Sequence, residues 1–407
     1  MSTTLDYLRW RGDLSFEVNP FNSVDASLLS SLVYLPADKS AINHTLGSVA
    51  EKLHDLPSFQ PQMHDETGAE ILLLPKSPRL ANIKILDWID RSEKEPHPLQ
   101  FTAAAFRINA DTIVIAYRGT DSTMIGWNED MRMNYMPEIY GQTVATEYLN
   151  QIVKQFPNDH FYLVGHSKGG NFAQYALGTA EAEVQDRVIQ ALSFDGLGFY
   201  HQVYTNPNFM RVLPKMKTYI PESSIFGAML DHPERTLVVK SDVAMRNQHD
   251  PRRWSVGRDS FTLAPGLSSS ARIIRHALIH FNNSIPKDKR EETFSALFEA
   301  FENFNIDDIN QIIANKLLGT YRLGRIFLSL DSEQRKLLAN IFSDVWKSFK
   351  NNTNLFFRDN DYDLYPKSND SSKAPIFFEF YDSDTPNLKL PQEVWDNLYK
   401  NKNKSSD

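Results

Sequence analysis

The chain has 407 residues, 41% of them hydrophobic and 23% charged, the balance of an ordinary globular protein with room for one large domain plus additions. A net charge of −8 argues against a nucleic-acid surface, and the absence of Cys excludes disulfides, thiolate metal sites and a cysteine nucleophile. No apolar run approaches the roughly 18 residues of a spanning helix, and the opening MSTTLDYLRWRGDLSFEV lacks both the basic start and the apolar stretch of a signal peptide, so a cytoplasmic protein is expected.

In chain order, residues 20–55 read as helical. Val24, Leu28, Leu29, Leu32 and Val33 recur at helical spacing after the candidate cap Asn22. Three apolar runs follow, Ile83 to Ile89, Phe101 to Ile108 and Thr112 to Tyr117. A charged, Pro-containing loop and Asn109-Ala110-Asp111 separate them, which predicts neighbouring strands joined by turns. Further strands are expected at His160–Val164, Val188–Phe194, Lys217–Ile220 and Thr236–Lys240, with helices at 141–156 and 168–183. That alternation predicts an α/β fold with a mostly parallel central sheet flanked by helices. Beyond 262 the pattern turns helical, over 267–283, 287–303, 305–317 and 331–349, with Phe294, Leu297, Phe298 and Phe301 forming an apolar stripe that reads as core. The expected organisation is an α/β domain over 1–262, a helical region over 263–365, and a loose tail with a short helix over 366–407.

Chemistry enters at Phe161–Gly170, FYLVGHSKGG, where a strand runs into Gly165-His166-Ser167-Lys168-Gly169 and then a helix. This is the nucleophile-elbow pattern, in which a strained backbone lifts a serine hydroxyl above the sheet. Side chains at the two flanking positions would collide with the neighbouring strand and helix, and glycines remove the collision. The helix N-terminus also directs amides and a positive dipole toward the serine oxygen. An oxyanion hole on this scaffold needs one N–H from the residue after the nucleophile and one from an earlier strand's loop. Lys168 supplies the first. Thr120 supplies the second, in IVIAYRGT followed by Asp121-Ser122 and Trp127-Asn128-Glu129-Asp130, and its hydroxyl offers a further donor. The competing explanation is an ordinary turn with a buried Arg118 pairing a carboxylate.

IVIAYRGTDS…W followed by LVGHSKGG resembles the class 3 lipase group of α/β-hydrolases. GHSKGGNFAQYA, FDGLGF and VVKSD…QHDPRRWSV resemble the Mbeg1-like branch more closely, over roughly residues 20–262. The resemblance implies an α/β-hydrolase fold with an appended C-terminal helical region, and lipase-like activity.

A serine becomes nucleophilic when an imidazole takes its proton and a carboxylate orients that imidazole. The chain order in such hydrolases is Ser, acid, His. His160 precedes the nucleophile strand, and His166 should point away from its neighbour Ser167. Of His201, His232, His249, His276 and His280, His249 lies where a base belongs, a short loop after TLVVK, and the resemblance also favours it. For the acid, Asp195 closes the strand VIQALSF, Asp242 ends TLVVKS, and Glu222 stands near the class 3 acid position; Asp195 is preferred and Asp242 comes second. The aromatic and Met-rich segment 198–234 and Trp254 read either as pocket walls or as packing. His276 and His280 lack the glutamate of a zinc helix, and Asp359–Asp363 lacks the glycine and glutamate of a calcium loop, so no metal and no organic cofactor are expected.

The expected function is a serine hydrolase of acyl or lipid esters, with catalytic Ser167, His249 and Asp195 and the N–H groups of Thr120 and Lys168 as oxyanion donors. Its expected partner is the ester or lipid substrate, with no nucleic acid and no transmembrane segment, and peripheral membrane contact left open. A non-catalytic scaffold that keeps the fold, or an acyltransferase or thioesterase using the same residues, are the alternatives.

Overall fold

The computed structural model describes residues 2–56, 66–243, 245–272, 274–275, 286–313 and 315–351. Its centre is a seven-stranded sheet in the order β1 to β7: β1 (Lys84–Glu93), β2 (Leu99–Arg107), β3 (Thr112–Tyr117), β4 (His160–His166), β5 (Val188–Phe194), β6 (Met216–Pro221) and β7 (Arg235–Val239). The pairs β1–β2 and β2–β3 are antiparallel, and β3 through β7 pair in parallel. Every strand expected from the sequence is present, with ends moved by a few residues.

Because β3 to β7 follow one another across the sheet in chain order, right-handed crossovers must all land on one face. They do. Helices α6 (Tyr140–Gln155), α7 (Lys168–Thr179) and α9 (Pro207–Val212) bury Val144, Leu149, Ile152, Phe172, Ala176 and Phe209 against Ile113, Ile115, Phe161 and Leu163. No crossover is left for the opposite face, which exposes Val114, Ala116, Val164, Leu192 and Phe194. The chain before β1 and after β7 covers it instead. Helices α1 (Thr4–Arg11), α2 (Ser23–Leu32), α3 (Leu46–His54) and α4 (Glu66–Leu73) lie there with Trp254 and Phe261. Val24, Leu28, Leu29 and Leu32 of α2 are fully buried, each contributing about 1.5–3 kcal/mol. Asn22 caps α2 as its sequence suggests, accepting the N–H groups of Val24 (2.9 Å) and Asp25 (3.3 Å). The predicted helical stretch 20–55 is thus broken into α2, a 3-10 turn at Lys39–Ala41 and α3.

The remaining helices of six or more residues among the described residues are α5 (Met124–Arg132), α8 (Ala182–Arg187), α10 (Lys287–Asn303), α11 (Lys316–Ser329) and α12 (Ser332–Asn351). The expected helix over 305–317 is a correction: Asn305 adopts φ 52°, only a short turn at Asn310–Ile313 forms, and Asn315 caps a helix that starts at Lys316. Phe298 and Phe301 are core, as read, and Phe294 stacks on Tyr135. The expected helix 267–283 lies largely outside the described residues, as do His276, His280, Asp359–Asp363 and the tail 366–407. Among the described residues no helix is long and apolar enough to cross a membrane.

This is the α/β-hydrolase arrangement, a central mixed sheet flanked by helices with a helical C-terminal region. Its N-terminal layer is tied by a fully buried pair in which Arg79 donates to both oxygens of Asp25 (2.7 and 2.6 Å) and to the backbone carbonyls of Leu14, Ser15, Asn19 and Pro20. Arg79→Met should therefore lower unfolding free energy by about 3–5 kcal/mol in urea titrations, by stranding a buried carboxylate. Arg9→Met, which breaks an exposed pair with Asp6, should stay within about 1 kcal/mol.

Candidate active site

Parallel strands end at a common edge, and the loops that leave it carry the chemistry of such sheets. Here that edge brings together Thr120 after β3, Ser167 after β4, Asp195 after β5, the 222–227 loop after β6 and the 241–253 segment after β7. Ser167 stands at φ 57°, ψ −132°, a conformation costly for a residue with a side chain, and its N–H is held by the Phe194 carbonyl at 2.9 Å. The flanking glycines supply space and not conformational freedom. A Cβ on Gly165 would sit 2.1 Å from the Gly169 carbonyl oxygen, and one on Gly169 would sit 2.1 Å from that of Tyr117 in β3.

The structure brings His249 to Asp195, with Nδ1 and Oδ2 2.7 Å apart. The carboxylate is 1% exposed. Its other oxygen accepts from Ser224 Oγ and, at 3.1 Å, from the Gly227 N–H. A carboxylate only accepts, so His249 Nδ1 carries the proton and Nε2 is left with a lone pair. Asp195 too has a positive φ, 53°, and its N–H bonds the Tyr219 carbonyl at 2.8 Å. Among the described residues neither other acid candidate pairs with the ring, and Asp242 pairs with Arg253 at 3.3 Å. The loop that carries Glu222 contributes Ser224 as a donor to Asp195, a part the sequence did not signal. Ser167 is 7% exposed, and its hydroxyl makes no hydrogen bond with the His249 ring.

His166 lies beside the candidate base, its ring centroid 4.5 Å from that of His249, which Phe226 also approaches at 4.5 Å. His166 Nε2 bonds the His249 carbonyl at 2.7 Å and Nδ1 meets the Tyr34 hydroxyl at 3.1 Å. A carbonyl only accepts, so Nε2 carries the proton and the tyrosine donates to Nδ1. Of the other histidines, His232 is buried against Glu234 at 2.9 Å and His160 is exposed at the far end of β4.

Each oxyanion candidate is held by an acidic residue of α5. Lys168 Nζ is fully buried and donates to Glu129 Oε2 at 2.6 Å and to Gln100 Oε1 at 3.0 Å, so its side chain turns away from the serine. Its N–H, at the first position of α7, has no intrahelical acceptor. The Thr120 hydroxyl donates to Asp130 Oδ1 at 2.7 Å, which occupies the hydrogen expected as an extra oxyanion donor. Burial pushes the Asp130 carboxyl upward. Glu129 and Asp130 are visible in the sequence only as part of WNED. Arg118 lies close to Asp121 (3.4 Å) and Asp90 (3.6 Å).

A cavity of about 570 Å³ lies against His249, lined by Ser31, Tyr34, His166, Asn247 and Arg252 among others, but not by Ser167. The segment 198–234 does not wall it. Phe199, Tyr204, Phe209 and Met216 pack in the crossover-side core, and Trp254 is fully buried on the opposite face. Among the described residues no group of His, Asp or Glu is arranged to hold a metal ion.

Burial, reinforced by the neighbouring His249, pushes the His166 imidazole from 6.5 down to about 3. Below about pH 6.5 the unfolded chain binds a proton that the folded chain refuses until about pH 3, so stability should fall as pH drops through that window. Urea midpoints measured from pH 7 to 4 should show a shallower slope in His166→Gln than in the unmodified protein.

Among solved structures, a fungal lipase–inhibitor complex matches at 15% identity and TM-score 0.33, over 53% of this chain and 77% of that one. Lipase II of Rhizopus niveus matches at 15% and 0.32, over 52% and 84%. A triacylglycerol lipase of Penicillium expansum matches at 13% and 0.28, over 45% and 81%. None of the curated proteins matches the chain. The Mbeg1-like family profile matches residues 74–299, beginning later than residue 20 and running past 262 into α10. That is more than half of the sequence, and the chain belongs to the Mbeg1-like family.

Proposed function

We propose that the protein is a serine hydrolase of carboxylic esters. The observation that carries the reading is the 2.7 Å bond from His249 Nδ1 to a buried Asp195 at the sheet edge where Ser167 is held in a strained turn. Ser167 Oγ attacks the ester carbonyl while His249 Nε2 takes its proton, and Asp195 holds the ring in the required tautomer and stabilises the imidazolium. The N–H groups of Thr120 and Lys168 receive the developing oxyanion. His249 then protonates the departing alcohol, and water enters by the same route to release the acid from the acyl-enzyme.

Phe226 and His166 both pack against the His249 ring, and the His166–His249 carbonyl bond fixes the backbone that carries it. The base is thus held by carboxylate, backbone and packing together. Such pre-organisation matters because a misplaced catalytic group loses much of its effect.

A fluorophosphonate probe should label the intact protein at Ser167 and fail on Ser167→Ala, with p-nitrophenyl ester hydrolysis lost in parallel. A protein that binds esters but is neither labelled nor active would be a scaffold on this fold. Asp195→Asn should lower kcat on the order of 10⁴-fold, and Asp242→Asn by no more than a few-fold; the reverse would move the acid to Asp242. Rates across acyl chains from acetyl to palmitoyl would separate an esterase from a lipase.

A further inference from the structure

We infer that the C-terminal helical region completes the oxyanion side of the site, with Asp308 as a positioning residue for Thr120. The catalytic consequence rests on the reading of Thr120 as an oxyanion donor. The loop leaving β3 has its last sheet anchor at Arg118, whose N–H bonds the Thr102 carbonyl at 2.9 Å. Its next backbone anchors lie far along the chain, at Asp307 and Ile309. The Ile309 N–H donates to the Ser122 carbonyl and the Met124 N–H donates to the Asp307 carbonyl, both at 2.8 Å, around a bridge between Thr123 and Asp308. Ser122 Oγ donates to the Asp308 carboxylate. The other oxygen of that carboxylate accepts the Asn310 N–H at 2.8 Å, so the acceptor is itself held.

The backbone of the Thr120 loop therefore runs between a support in the sheet and one in the C-terminal region, while Tyr34 packs against Gly119 and Asp130 takes the Thr120 hydroxyl. Apolar packing reinforces the second support. Ile306, 1% exposed, lies with Phe298, Phe301 and Ile326 in one cluster with Met124, the first residue of α5. Helix α5 carries Glu129 and Asp130, which hold Lys168 and the Thr120 hydroxyl. Both handles on the oxyanion donors thus start from the segment that residues 305–309 fasten. The left-handed turn at Asn305 delivers those residues to it.

Hydrogen exchange decides the inference without reference to activity. In Asp308→Ala, amides within 118–124 should exchange about tenfold faster or more, while β4 and α7 keep their protection. With p-nitrophenyl butyrate, kcat should fall about tenfold at a KM within about twofold, and a boronic acid that mimics the tetrahedral intermediate should bind about tenfold more weakly. Asp308→Asn should restore all three, because its amide oxygen still accepts the Asn310 N–H while its NH2 donates to Ser122 Oγ, whose hydroxyl oxygen can accept. If Asp308→Ala does not fold, Ser122→Ala, which keeps the backbone pairing, should show the same pattern at smaller size. Unchanged exchange over 118–124 in a folded variant overturns the clamp, as does a loss confined to KM. An unmodified protein without esterase activity would instead overturn the proposed function, with exchange still deciding the clamp.

Discussion

The close approach of α7 to the end of β3 is the constraint on which the rest of the site depends. The backbone at Gly169 lies so near the Tyr117 carbonyl that a single added carbon would sit 2.1 Å from its oxygen. At that spacing the chain can leave β4 only by a sharp reversal, and Ser167 absorbs it with a positive φ. Strain of this kind persists only where the surroundings over-determine it. Here the Phe194 carbonyl holds the Ser167 N–H from one side, and two glycines admit the helix from the other.

Around this turn the structure places supporting groups one layer further out, where they touch side chains and backbone of the site. Glu129 takes the Lys168 ammonium, Asp130 the Thr120 hydroxyl, Ser224 bonds Asp195, and Tyr34 reaches His166, which reaches the His249 backbone. The Lys168–Glu129 pair is a poor source of stability, because desolvating both charges offsets most of their attraction. Its effect is geometric. It ties the elbow helix to α5 and, through Gln100, to β2. A hydrophobic pair of similar volume could fill the same space without fixing that relative position.

The topology explains why so much of the chain takes part. Crossovers on one face leave the other bare, and the N-terminal helices that cover it bring Tyr34 to His166. The β6–β7 connection carries no helix and passes along the sheet edge, which brings Ser224 and Gly227 to Asp195. The C-terminal helices share an apolar cluster with Met124. Five stretches far apart in sequence thus meet around one turn.

The strands, the elbow with its two glycines and the serine at its apex were legible in the sequence alone. Each is a local pattern whose physical cause, alternation of apolar residues or collision with a Cβ, lies within a few residues of the signal. Which carboxylate meets His249 was legible only as a preference for Asp195. Asp195, Asp242 and Glu222 all follow strands, and the outcome turns on how the 222–227 and 241–253 segments curve back over the edge. The supporting roles of Glu129, Asp130, His166 and Asp308 were hidden for the same reason, since each depends on a partner from 10 to 186 residues away. The helix at 316–329 was missed because the break at Asn305 and the cap at Asn315 set its start more firmly than the apolar spacing did. Local sterics write themselves into neighbouring residues, whereas contacts made by loops exist only once the sheet has brought its strand ends to a single edge.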